Sequence, residues 1–170
     1  MSLLPASTND LYRGSPASVW FLGFYGLLEL ITGLIHFVLP DGGAGVIAGL
    51  DLTQNKPTII GVFAWMGALQ IAYGLGILTV AYWCRPLVPL FLALGLVERL
   101  LMSVAAWVTK PSPTGHHPPE HYASLVLVPV LAAFLALAVR SRAQNWLGVA
   151  TSRQTGCSNA DTPAERNKPA

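Results

Sequence analysis

Residues 87–108, LVPLFLALGLVERLLMSVAAWV, form an apolar run interrupted at its centre by two adjacent charges, Glu98 and Arg99. A run of this length matches the ~20 residues that carry a helix across ~30 Å of hydrocarbon, and it exceeds an ordinary buried core helix. Each ionised side chain near a membrane midplane costs at least about 2.5 to 3.5 kcal/mol. Such residues therefore face a bundle interior, pair with one another, or mark a functional pathway.

The rest of the chain repeats the pattern. Of its 170 residues 53% are hydrophobic and 11% charged, a membrane composition. Four apolar segments, at about 19–39, 59–82, 87–108 and 122–139, are separated by the turn-forming clusters Pro40-Asp41-Gly42-Gly43, Cys84-Arg85-Pro86 and Pro111 to Pro119. Backbone satisfaction in lipid requires that they be helices. The sequence thus predicts an all-α integral membrane four-helix bundle over residues 19–142. It is preceded by an N-terminal segment, 1–18, and followed over 143–170 by an interfacial turn anchored by Trp146 and a disordered polar tail. The first segment is longer than a signal-peptide core and carries Glu29, so it reads as a retained helix.

Basic residues are distributed unevenly. Arg13, Arg85, Arg140, Arg142, Arg153, Arg166 and Lys168 lie on the side of both termini, and Lys56 and Lys110 on the other. By the positive-inside rule both termini are expected in the cytoplasm. The lipid bilayer is the partner this implies; no nucleic-acid footprint is present. Cys84 and Cys157 form no CxxC pair, and no cofactor motif is read.

Glu29, Gln70, Glu98 and Arg99 fall near the centres of three segments, so three helices place polar groups at one depth. Neighbours on a helix point about 100° apart, which makes Glu98 a poor partner for Arg99 and Glu29 the better one. Tyr25, Gly26, Glu29, Thr32, Gly33 and His36 share one stripe of the first helix, with His36 about 10 Å beyond Glu29. Two carboxylates against one guanidinium leave a negative charge in the layer, and a proton on one glutamate is the simplest remedy. The fourth helix contributes no charge, and Pro129 is expected to kink it. Ala64, Ala68, Ala72 and Gly76 form a ladder of small residues suited to close helix contact.

These positions make Tyr25, Glu29, His36, Gln70, Tyr73 and Arg99 the candidate ligand-binding set. Glu29, Glu98 and Arg99 are the candidate catalytic set, a glutamate acting as acid or base and Arg99 as electrostatic stabiliser. His116, His117 and His121 in the outer loop are weak metal candidates, because Pro118 and Pro119 break the helix that would align His117 with His121.

The segments Leu27-Leu28-Glu29-Leu30, Ala68 to Gly76 (ALQIAYGLG) and Ala93 to Leu101 (ALGLVERLL) together resemble the small DoxX-like and BphX-like bacterial membrane proteins, over about the first 140 residues. The resemblance implies a compact four-helix bundle and no particular mechanism. The Glu98-Arg99 pair is also similar to that of glutathione-handling four-helix enzymes, but their accompanying Asn has no counterpart between Leu100 and Val108. Three functions are compatible with these residues. One is an accessory protein holding a small hydrophobic ligand or a partner subunit. The others are an isomerase-like enzyme moving a proton on a lipophilic substrate and a transporter built from several copies.

Overall fold

The computed structural model of the chain describes residues 4–112 and 115–158, the backbone alone over 141–158. Four long helices account for most of them: α1 (Pro16–Val38), α2 (Lys56–Trp83), α3 (Val88–Val104) and α4 (Pro119–Ser158). A 3-10 turn at Arg85–Leu87 leads into α3, and a π-helical turn, Ala105–Thr109, follows it. The spans Pro16–Val38, Lys56–Trp83, Arg85–Thr109 and Pro119–Arg140 are each long and apolar enough to cross a membrane. Phe24, Leu27, Ile31, Val62, Trp65 and Leu69 turn outward. A belt of that kind suits lipid and would be an aggregation surface in water.

Hydropathy places helix starts at Val19, Ile59 and Tyr122, whereas the helices begin three residues earlier, at Pro16, Lys56 and Pro119. Proline accounts for each difference. It stands in the first turn of all three, where its missing N–H removes no bond and its fixed φ already suits the helix. At the other end of the chain the backbone of 143–158 continues α4, where the sequence predicts an interfacial turn and the beginning of a tail. No proline stands between Pro129 and Pro163 to stop it. The remainder of the expected tail, 159–170, lies outside the described residues.

The helices associate as two pairs, α1 with α2 and α3 with α4. Glycines at seven-residue spacing set the first pair. A Cβ on Gly67 would lie 2.7 Å from the Gly33 carbonyl oxygen, and one on Gly74 would lie 3.0 Å from that of Gly26. The antiparallel backbones are therefore in direct contact at two levels, which only glycine permits. The ladder expected from Ala64, Ala68, Ala72 and Gly76 is not this interface: Ala72 is exposed and Gly76 has nothing near its Cβ position. It points to the outside of the pair because it runs along the face of α2 away from Gly67 and Gly74.

The two pairs join around an apolar core near the N-terminal end of α1. Leu22, Tyr25, Ile77, Val88, Leu92 and Leu131 are fully buried there. Phe21 stacks on Phe134 with ring centroids 4.1 Å apart, and the Ser18 hydroxyl donates to the Phe134 carbonyl at 3.0 Å. Residues 5–12 strap this end: Trp83 Nε1 donates to the Pro5 carbonyl at 2.7 Å, and the Asn9 amide donates to the Tyr82 carbonyl at 2.7 Å. The strap thus partners a carbonyl left unpaired at the end of α2. At the opposite end, loop 39–55 turns back over the bundle and buries Ala44 and Ala48.

Candidate intramembrane polar site

Arg99, only 6% exposed in mid-α3, is the centre of the site. Its Nη2 forms an ion pair with Glu29 Oε1 of α1. Its Nε donates to the Tyr25 hydroxyl at 3.1 Å, and Nη1 lies 3.5 Å from Ser124 Oγ and 3.8 Å from Glu120 Oε1, both on α4. Every nitrogen of the guanidinium therefore has a protein partner. Breaking such a buried pair is expensive because it strands the other charge.

Tyr25 carries the connection onward. Its hydroxyl accepts from Arg99 and donates to Glu98 Oε2 at 2.9 Å, so the two charges adjacent in sequence are linked through the tyrosine and not to each other. Gly95 makes the room: a Cβ there would lie 2.9 Å from the Tyr25 ring. One turn of α3 thus supplies the gap for the ring and, four residues later, the cation that holds its hydroxyl.

His36, two turns beyond Glu29 on the same face of α1, is 6% exposed. Its Nδ1 lies 2.7 Å from the Gly42 carbonyl oxygen. A carbonyl only accepts, so Nδ1 carries a proton, and a ring with that one proton presents Nε2 as an acceptor. Nε2 lies 4.0 Å from Glu120 Oε2, beyond hydrogen-bond reach. Gly42 is held by a turn that Asp41 organises, accepting from the backbone N–H groups of Gly43, Gly45 and Val46 at 2.9 to 3.1 Å. Those bonds, the one from Val46 foremost, hold the Asp41 carboxyl below the usual aspartate range.

A cavity of about 440 Å3 opens from this cluster toward the loop end of the bundle. Glu29, His36, Arg99 and Glu120 line its polar side, and Leu28, Ile35, Ile47, Phe63, Met102 and Leu127 stand among its apolar walls. Glu29 Oε2, His36 Nε2 and Glu120 Oε1 are buried and make no hydrogen bond among the described residues.

Of the residues singled out from the sequence, Tyr25, Glu29, His36, Glu98 and Arg99 converge in one network. Gln70 and Tyr73 stand apart from it. Gln70 is buried beneath Gly33 and does not line the cavity, while Tyr73 packs against the apolar core. Glu98 joins the network behind Tyr25, outside the cavity lining. The expectation that the fourth helix brings no charge is wrong: α4 starts at Pro119, so Glu120 occupies its first turn, and Ser124 follows one turn later on the same face. The i, i+4 spacing of those two polar residues at a proline start was the available signal.

The outer-loop histidines are used otherwise. His116 Nε2 lies 2.8 Å from the Ala48 carbonyl, His117 stacks on Trp107 at 4.0 Å, and His117 and His121 bring their Nδ1 atoms to 3.2 Å, sharing one proton. Among the described residues no three His, Cys, Asp or Glu side chains meet in an arrangement that could hold a metal ion. Comparison of the chain with family models, curated proteins and solved structures yields no match.

Proposed function

We propose that this chain is a membrane-embedded binding protein that holds a small hydrophobic molecule against the Glu29–Arg99 layer, in a bacterial inner membrane with both termini cytoplasmic. The observation that carries this reading is the meeting of an apolar cavity with the buried polar cluster at its side. The volume falls within the roughly 300 to 1,000 Å3 of small-molecule sites, and a few convergent polar groups in apolar walls are their usual lining. The seven-to-two split of basic residues supports the orientation. The resemblance of the segments quoted above to DoxX-like proteins is compatible with this reading.

Mass spectrometry of lipids copurifying with the wild-type protein and with Glu29→Gln tests the function. A discrete lipophilic species enriched in the wild type and lost in the variant is expected; identical bulk-lipid profiles would sink the idea.

One feature favours a second reading, proton transfer on a lipophilic substrate. Glu29 Oε2 and His36 Nε2 are acceptors at the cavity, the position a general base needs. Transport is less well supported, because the packed N-terminal half closes the space between the helices of a single chain.

A further inference from the structure

We infer that the cavity recognises its ligand by a protonated primary amine, the occupant being a lipophilic alkylammonium. The inference rests on the binding-protein reading above and adds the chemistry of the ligand's polar end. Two counts support it, one of hydrogen bonds and one of charge.

The first count concerns donors. Among the described residues, the buried acceptors at the cavity with neither a hydrogen bond nor an ion pair of their own are Glu29 Oε2 and, on a ring protonated at Nδ1 alone, His36 Nε2, while Glu120 Oε1 has only the long ion pair to Arg99. Glu29 and His36 are more than nine-tenths buried, so a partner for these atoms has to come from inside the cavity. Arg99 has little left for an anionic ligand, since Tyr25, Glu29, Ser124 and Glu120 take four of its five N–H groups. His121, at the rim, spends Nδ1 on His117. Thr32 is the one hydroxyl among the described residues of the lining, so a ligand that brings donors suits these acceptors, and an ammonium carries three.

The second count concerns charge. With both carboxyls ionised, Glu29 and Glu120 oppose Arg99 alone in the lining, an excess that either a proton or a cationic ligand balances. A monovalent cation restores balance at a site where uncompensated charge is costly. Protonation of His36 also supplies one positive charge, but it would aim that N–H at Glu120 and leave Glu29 Oε2 without a donor. A quaternary ammonium brings charge without N–H groups and is held by aromatic cages; Phe63 is the one Phe, Tyr or Trp among the described residues of these walls.

Calorimetric titration of the protein in phosphatidylcholine nanodiscs, with empty discs subtracted, tests this using octylamine, octanol, octanoate and octyltrimethylammonium. Octylamine is expected to bind tighter than each of the others by about tenfold or more, the effect of one hydrogen bond to a charged group. Glu120→Gln, at a rim side chain that is 26% exposed, should remove most of that preference.

Octanoate as the tightest probe, octanol equal to octylamine, or an undiminished preference in Glu120→Gln would overturn the inference while leaving a lipophile pocket in place. Octyltrimethylammonium equal to octylamine would overturn the N–H recognition. Failure of all four compounds to bind would remove the pocket reading as well. Phosphatidylethanolamine included in the discs separates two sources of the same group: competition with octylamine assigns the site to a lipid headgroup, and no competition assigns it to a free amine. Either result supports recognition of an ammonium.

Discussion

Between Ser18 and Tyr25 the four helices close on one another, with a stacked Phe21–Phe134 pair and Leu22, Leu92 and Leu131 fully buried. Two turns further along α1, where α1 and α2 are still in backbone contact at Gly33 and Gly67, a cavity of about 440 Å3 with a charged side opens between that pair and α3 and α4. The Glu29–Arg99 pair marks the border. The contrast shows how a small bundle supports a polar site: one half supplies the packing, which lets the other half leave space unfilled. Dispersion contacts and close backbone approach drive helix association in lipid, so a hollow half needs a packed half beside it.

Removing the border should have the largest effect. Arg99→Leu strands Glu29 and is expected to destabilise by about 3 to 5 kcal/mol, against little change for Arg85→Leu at the exposed turn. Thermal unfolding in detergent compares them. Equal melting shifts would mean that the ion pair does not join the halves.

A smaller effect separates the halves directly. Leu22→Ala removes a fully buried side chain from the packed half and should cost about 2 to 5 kcal/mol. Met66→Ala, on the cavity wall, should cost less than about 1 kcal/mol, because its neighbours already face open space. If Met66→Ala lowers the melting temperature as much as Leu22→Ala does, the loop half is as tightly filled as the other.

The smallest effect concerns the loop that covers the cavity. Backbone N–H groups depress the Asp41 pKa in the folded state, so its contribution is fully present above the unfolded value of about 3.9 and is lost as pH falls through the lower folded value. Limited proteolysis of loop 39–55 should quicken below about pH 4 in the wild type, while Asp41→Asn should be cut at a rate nearly independent of pH. A wild-type profile as flat as the variant's would show that the turn is held by other contacts.

The packed and hollow halves were not equally legible in the sequence. Glu29 and Arg99 could be paired from depth and helical phase alone, because intramembrane charges have few places to go. Glu120 and Ser124 escaped because hydropathy starts the fourth helix at Tyr122, whereas Pro119 sets the true start. Small residues suggested a close helix contact but not which face makes it: alanines at four-residue spacing lost to glycines at seven, since only glycine admits backbone against backbone. The cavity had no signature at all. It depends on loop 39–55 folding back to bring Gly43, Ile47 and Ala48 over the bundle, a long-range arrangement that no local pattern encodes.

The glycine contacts between α1 and α2 bear on the order of assembly. These two helices are consecutive in the chain and complete their interface without help from the others. Synthesis runs from the N-terminus, so α1 and α2, with Glu29, are made before the third helix that delivers Arg99 to the bilayer. The most reluctant residue to enter hydrocarbon arrives last of that pair, to a carboxylate in waiting, and Glu120 and Ser124 then close around it from the fourth helix. Exchanging the positions of Glu29 and Arg99 would keep the pair and reverse that sequence, sending the guanidinium into the membrane before its counter-ion exists.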